Sequence, residues 1–215
     1  METKGIGFLF DLDGVLIDSE SEYTRIWSEI DARFKSGVED FAYKIKGMTL
    51  PEILNDYYPV EDHEAIVEML NEREQKMKYE WLPGAHELLE ILKKKDLPCV
   101  LVTSSNNLKL KHLREERPEL PSYFKEIVSA DKVSRSKPDP EGYLLGASLL
   151  GVEPKRCVVF EDSKQGVKAG RSSGAYTVGL TTTLPKEIIE EYCDMTIRDL
   201  AEIDIEKLAK ILYKR

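Results

Sequence analysis

Ile6-Gly7-Phe8-Leu9-Phe10-Asp11-Leu12-Asp13-Gly14-Val15 is an apolar run that ends in two carboxylates one residue apart, followed by a glycine. The run predicts a β-strand buried on both faces, because no polar residue interrupts it. Side chains alternate along a strand, so Asp11 and Asp13 point at one spot, and Gly14 lets the chain turn away sharply. Two anions held this close repel, so a bound cation or a functional role must offset the cost. An acidic turn that binds nothing is the bland alternative. A calcium-binding EF-hand loop is excluded: its glycine comes at the sixth position and its glutamate at the twelfth, whereas Val15 and Leu16 follow at once here.

The 215 residues suit one domain of ordinary size, or one domain carrying an insert. A net charge of −9 argues against a nucleic-acid surface, which needs basic patches, although a phosphorylated small molecule answers only to the local field of a cleft. Cys99, Cys157 and Cys193 each fall in an apolar, strand-like run and read as small buried hydrophobes rather than ligands or bridges. No apolar segment approaches the roughly 20 residues of a membrane span, and the first residues lack the pattern of a signal peptide. A cytoplasmic protein is expected.

From Leu82 onward, strand-like and helix-like stretches alternate. A helix over 85–95 presents Leu88, Leu89 and Leu92 on one face, and a buried strand follows over 98–103. A basic helix over 108–114, a strand over 126–129 and a helix over 140–150 come next, the last with Asp139 as N-cap and Pro140 in its first position. A strand over 157–160, a helix over 164–173 and a strand over 175–178 complete the pattern. The alternation implies right-handed crossovers and a mostly parallel sheet covered on both faces, with ligands at the carboxyl ends of the strands.

Residues 18–82 break that rhythm. Tyr23, Ile26, Trp27, Ile30 and Phe34 share one helical face, Thr49-Leu50-Pro51-Glu52 is a capping box, and a charged helix over 61–79 has Ile66, Met69 and Leu70 inside. An all-helical insert directly after the first strand reads as a lid over the carboxyl end of the sheet. The expected division is 1–17 with 83–215 as the α/β core and 18–82 as the helical cap. Lys93-Lys94-Lys95 reads as a solvated helix end, favourable with the helix dipole.

Four strand ends carry unusual residues. Thr103-Ser104-Ser105-Asn106 brings hydroxyls and amides to a helix N-terminus, where they either hold a phosphate or simply cap the helix. Ser136-Lys137-Pro138-Asp139-Pro140 stiffens its turn with two prolines, so Lys137 is held where it can meet an anion. Phe160-Glu161-Asp162-Ser163 ends the fourth strand in adjacent carboxylates that point different ways, with Asp162 or Ser163 also available as an N-cap. The following helix carries Gly166, Ala169 and Gly170 on one face. Each glycine costs about 1 kcal/mol in a helix, and close approach to the sheet is the expected compensation.

In this order, the motifs resemble the haloacid dehalogenase superfamily, in its phosphatase and phosphomutase branch with a small helical cap. The resemblance covers the whole chain and rests on Asp11-Leu12-Asp13-Gly14-Val15, Thr103, Lys137-Pro138-Asp139-Pro140 and Glu161-Asp162-Ser163. It implies a Rossmann-like three-layer core with a mostly parallel sheet of five or six strands, and a cap inserted at 18–82. It further implies that Asp11 attacks phosphorus to give an aspartyl-phosphate and that Asp13 acts as general acid and then base. Mg²⁺ would sit on the Asp11 carboxylate, the Asp13 backbone carbonyl and Asp162, with Glu161 close by. Thr103, the Ser104 amide and Lys137 would hold the phosphoryl oxygens.

Dehalogenases lack the second aspartate, so Asp13 points to phosphate chemistry. Mutases resembling β-phosphoglucomutase carry a histidine where Tyr23 stands and a Lys-Gly-x-x-Arg run, whereas Lys46-Gly47-Met48-Thr49-Leu50 keeps the lysine but replaces the arginine with Leu50. An arginine fork is the best grip for a second phosphate, and its loss weighs against a mutase. The expected function is a Mg²⁺-dependent phosphatase acting on a small phosphorylated metabolite, a sugar or polyol phosphate. A sugar phosphomutase is the alternative, and a non-catalytic binder of a phospho-ligand or partner is the second. Lys46 and Tyr23 are candidate substrate contacts in the cap, and Trp27 reads as core. His63, His86 and His112 have no metal-ligand spacing and read as solvated. A monomer with no nucleic-acid or membrane partner is expected.

Overall fold

The computed structural model describes residues 5–45, 48, 50–105 and 107–214. The chain divides into two compact units, one of Met1–Asp18 with Tyr79–Arg215, the other of Ser19–Lys78. The larger unit holds six strands: β1 (Gly7–Phe10), β2 (Cys99–Val102), β3 (Glu126–Val128), β4 (Cys157–Glu161), β5 (Tyr176–Leu180) and β6 (Met195–Ile197). They form one parallel sheet in the order β3-β2-β1-β4-β5-β6. The chain winds outward from β1 to one edge and then returns to the other side of β1. The topological switch therefore lies between β1 and β4, where doubly wound sheets open a crevice at their carboxyl ends.

The smaller unit is helical: α1 (Ser19–Phe34), α2 (Phe41–Lys44), α3 (Leu50–Tyr57) and α4 (His63–Glu74). Ile26, Trp27 and Ile30 of α1 are buried, as their spacing requires, and Ile66, Met69 and Leu70 form the inner side of α4. The charged helix expected over 61–79 stops at Glu74. Beyond it Met77 and Tyr79 are buried while Lys78 and Glu80 are exposed, a two-residue period that only extended chain can satisfy. Thr49 of the expected capping box lies outside the described residues.

In the larger unit come α5 (Ala85–Lys94), α6 (Asn107–Glu116), α7 (Glu141–Leu150), α8 (Lys164–Ser172), α9 (Lys186–Ile189) and α10 (Ile205–Leu212). On one face of the sheet Leu9, Val100, Val102, Val128 and Val159 pack against Tyr143 and Ala147 of α7 and Ala169 of α8. Phe10, one residue along from Leu9, turns to the opposite face and stacks on Phe160 with ring centroids 4.6 Å apart. Gly84 shows why α5 opens on a glycine. Its φ is +77°, and a Cβ there would lie 2.1 Å from the Ala201 nitrogen, so neither the conformation nor the space admits another residue.

Three local expectations are corrected. Pro140 is the N-cap of α7 rather than its first helical residue, while the Glu141 N–H donates to Asp139 Oδ1 at 3.0 Å, so the aspartate still satisfies an end-of-helix donor. Cys99 and Cys157 are buried in strands, but Cys193 is half-buried in the turn before β6, its thiol donating to the Ile189 carbonyl. The histidines are half-buried and partnered instead of solvated. His63 pairs with the Tyr58 carbonyl, His86 stacks on Trp81, and His112 lies edge-on to Tyr79.

Candidate active site

Parallel neighbours place strand ends side by side. The Asp11 N–H donates to the Phe160 carbonyl, so the residues just past β1 and β4 meet at the switch point. Asp11, Glu161 and Asp162 are all buried and offer carboxylate oxygens within 4.8 Å of one another. The turn after Asp13 is tight because the Val15, Leu16 and Ile17 N–H groups all donate to the Leu12 carbonyl. Gly14 takes a φ of +73°, and a Cβ there would lie 2.0 Å from Asp162 Oδ2. The glycine is thus required by both conformation and the approach of Asp162.

Lys137 enters this acidic cluster from the loop before α7. Its Nζ donates to Asp11 Oδ1 and to Glu161 Oε1, both at 2.6 Å, and to the Val102 carbonyl at 3.2 Å. Burial opposes the ammonium, but Asp11 and Glu161 outweigh it and hold the Lys137 pKa above its ordinary value. Burial pushes the Asp11 carboxyl up to about 7, with Lys137 offsetting part of that and Glu161 and Asp13 adding to it. Asp162 is raised well above the carboxylate range, first by burial and then by Glu161 and Asp11. Lys137 alone therefore leaves the cluster short of positive charge.

Glu161 is fully buried, and both its oxygens are engaged. Oε1 accepts from Lys137 and from the Tyr143 hydroxyl at 2.7 Å, while Oε2 accepts from the Asp162 and Ser163 N–H groups and the Ser163 hydroxyl. Ser163 in turn caps α8 by accepting the Gly166 N–H at 3.0 Å. The expected close approach of α8 is explained here: a Cβ on Gly166 would fall 1.8–2.0 Å from the Glu161 carboxylate, and one on Gly170 would crowd Val159 and Thr177.

Thr103 is buried, and its Oγ1 accepts the Ser105 N–H at 3.0 Å. Ser104 is exposed beside it, and both line a small hollow with Ser136 and Lys137. Asp13 accepts from Ser105 Oγ at 3.1 Å and from Lys109 Nζ at 2.7 Å. Among the described residues the larger unit thus gathers Asp11, Asp13, Thr103, Ser104, Lys137, Glu161 and Asp162 at adjoining strand ends. Tyr23 belongs to the helical unit, where its hydroxyl donates to Glu74 Oε1 at 2.9 Å. It lines a cavity of about 300 Å³ with Trp27, Ile45, Ile53 and Leu70. Lys46 lies outside the described residues.

Sequence reasoning gave no role to Tyr143 or Lys109, and took Ser105 only as one of the hydroxyls that hold a phosphate or cap a helix, not as a donor to Asp13. Tyr143 lies inside the expected helix 140–150, where no motif or spacing marks it. Lys109 did leave a signal, a cation in the first turn of a helix, where the macrodipole disfavours it.

Residues 8–180 match the haloacid dehalogenase-like hydrolases, and the chain belongs to that family. It is similar to hexitol phosphatase A of Escherichia coli, at 32% identity over 206 residues and 94% of each chain. It is 37% identical over 175 residues to a phosphorylated carbohydrates phosphatase of Thermotoga maritima, covering 77% of this chain and 80% of that one. Among solved structures, a HAD hydrolase of family IA, variant 3, from Entamoeba histolytica superposes with a TM-score of 0.80 at 27% identity, covering 97% of this chain and 99% of the other. The mostly parallel α/β sheet read from the strand alternation holds, as does the Rossmann-like class that the resemblance implied, with an inserted all-helical unit. No helix among the described residues is long and apolar enough to cross a membrane.

Proposed function

We propose that the protein is a Mg²⁺-dependent phosphatase of a small phosphorylated metabolite, a sugar or polyol phosphate, working through an aspartyl-phosphate. The observation that carries this reading is Lys137 bridging Asp11 and Glu161 at 2.6 Å each, beside Asp162. An ammonium fixed on one oxygen of a buried carboxylate leaves the other oxygen free to face an incoming phosphorus. The named activities of the E. coli and Thermotoga relatives support the same substrate class.

The donor set fits a hard divalent cation. Asp11 and Asp162 supply buried carboxylate oxygens, their ionised forms disfavoured first by burial and then by the neighbouring carboxylates, and hard cations of the Mg²⁺ type take oxygen ligands. Asp11, Asp162 and the Asp13 backbone carbonyl are assigned to Mg²⁺, with Glu161 close by as the anchor of Lys137. When bound, Mg²⁺ neutralises the cluster and the phosphoryl oxygens so that a dianion can enter.

Asp11 attacks phosphorus, Asp13 gives a proton to the leaving oxygen, and Asp13 then takes one from the water that opens the aspartyl-phosphate. Thr103, the Ser104 amide and Lys137 bind the transferred oxygens, and fixed charge supplies most of the acceleration that monoester hydrolysis needs. The helical unit 19–78 is assigned to substrate selection, with Lys46 and Tyr23 as its substrate contacts. A cytoplasmic monomer fits this role.

A panel of sugar and polyol phosphates assayed for released inorganic phosphate tests the function. Turnover of at least one with Mg²⁺, and none with excess chelator, is expected; no release from any member overturns it. Incubation with β-glucose 1-phosphate and the 1,6-bisphosphate should yield inorganic phosphate without efficient formation of glucose 6-phosphate. Efficient isomerisation would make the protein a mutase. At a hundredfold excess over Kd, Mg²⁺ should stabilise the fold by about 2.7 kcal/mol, raising Tm by about 5–10 °C. A melting curve indifferent to millimolar Mg²⁺ would remove the metal from the proposal.

A further inference from the structure

Lys109 has no place in the chemistry assigned so far, yet it enters the site. It lies in the first turn of α6, whose N-terminus carries partial positive charge, so a cation there works against the helix dipole. The first turn of α6 contains no acidic residue to compensate it. The compensation comes from across the site: Lys109 Nζ lies 2.7 Å from Asp13 Oδ1, with the lysine side chain only 17% exposed. The second oxygen of the same carboxylate, Oδ2, accepts from Ser105 Oγ at 3.1 Å. Both donors come from the segment that follows β2, and they grip one oxygen each. The Asp13 backbone is fixed separately, by the tight turn over the Leu12 carbonyl and by the Gly14 N–H donating to the Ile17 carbonyl.

We infer that Lys109 is a positioning residue: together with Ser105 it fixes the rotation of the Asp13 carboxylate from which the proton is exchanged with the leaving oxygen and then with water. The inference rests on the acid–base role of Asp13 proposed above. During phosphoryl transfer, the O–P bond of the ester breaks as the Asp11 oxygen bonds to phosphorus, and the proton on Asp13 passes to the departing alkoxide. Water later attacks the aspartyl-phosphate and returns a proton to Asp13. A misoriented carboxylate slows both transfers, and an error of about 1 Å costs on the order of a hundredfold.

The test compares wild type, Lys109→Met and Lys109→Arg, each also in an Asp13→Asn background. For every protein, kcat/KM is measured on p-nitrophenyl phosphate and on an alkyl phosphate from the metabolite panel, together with inhibition by inorganic phosphate. Nitrophenolate departs with little help from an acid, whereas an alkoxide needs one. Lys109→Met should lower kcat/KM about ten- to a hundredfold for the alkyl ester, and by clearly less for p-nitrophenyl phosphate. Lys109→Arg should recover much of the loss, phosphate inhibition should hold, and Lys109→Met should add little to Asp13→Asn. Equal losses on both esters, or the same further loss in the Asp13→Asn background, overturn the inference. Weakened phosphate inhibition also overturns it, because Lys109 would then bind the phosphoryl group itself. Full activity of Asp13→Asn on the alkyl ester would instead sink the acid–base assignment on which the inference stands.

Discussion

Asp11→Asn should lower kcat by about 10⁴-fold or more, the range seen when a covalent nucleophile is removed. The amide keeps the size and shape of the side chain but has no anionic oxygen to bond to phosphorus. Lys137 stays in place, because Glu161 still accepts from it at 2.6 Å. The variant should therefore fold. In metal-free buffer at pH 8 it should melt no lower than wild type, and the sign follows from the Asp11 carboxyl. Burial raises its pKa from 3.8 to about 7 in the folded protein, so ionising it costs stability progressively as pH climbs through that window. Asparagine carries no such cost. Phosphate release from p-nitrophenyl phosphate and a melting curve measure both halves. Equal release by wild type and variant would place the nucleophile elsewhere.

Gly166→Ala should cost about 2–4 kcal/mol, the balance of a gain near 1 kcal/mol in helix propensity against the loss of about 3–5 kcal/mol from a broken buried ion pair. The new methyl would sit 1.8–2.0 Å from the Glu161 carboxylate. A flexible surface glutamate would swing aside, but this one is fully buried and held by Lys137, Tyr143, Ser163 and two backbone N–H groups. Moving it strands Lys137 as a buried cation with one of its two carboxylate partners. Tm should fall by about 4–16 °C, and activity should fall with it through the loss of Lys137 alignment. An alanine variant that melts at or above wild type would show that α8 can lift away from the sheet. Gly170→Ala, which crowds Val159 and Thr177 rather than a charge, should lose stability with a smaller effect on turnover.

Much of this protein was legible in its linear order, and the reason is that the relevant signals are local. Apolar runs of strand length that end in Asp11, Thr103 and Glu161 declare buried parallel strands and put polar residues at their ends, because a strand has nowhere else to place them. Pro138 and Pro140 announced a held lysine, and Gly166 with Gly170 announced a helix pressed on a sheet. The helical insert was equally visible, because the strand-length apolar runs give way over 18–82 to apolar residues at helical spacing.

Other features were decided by partners far away in the chain. The last strand, Met195–Ile197, is too short and too mixed to read alone and exists because β5 offers it a pairing edge. The histidines found neighbours that no spacing rule names. Glu161 was expected close to the metal, and what only the fold adds is that Tyr143 and Lys137 converge on it and make it an anchor as well. Lys109 bonds to Asp13, 96 positions away. The sequence by itself determined which chemical groups the strand ends would carry, since that follows from periodicity and chain direction. Only the tertiary structure decided which oxygen each donor holds, since that depends on the packing of α6, α7 and α8 against the sheet.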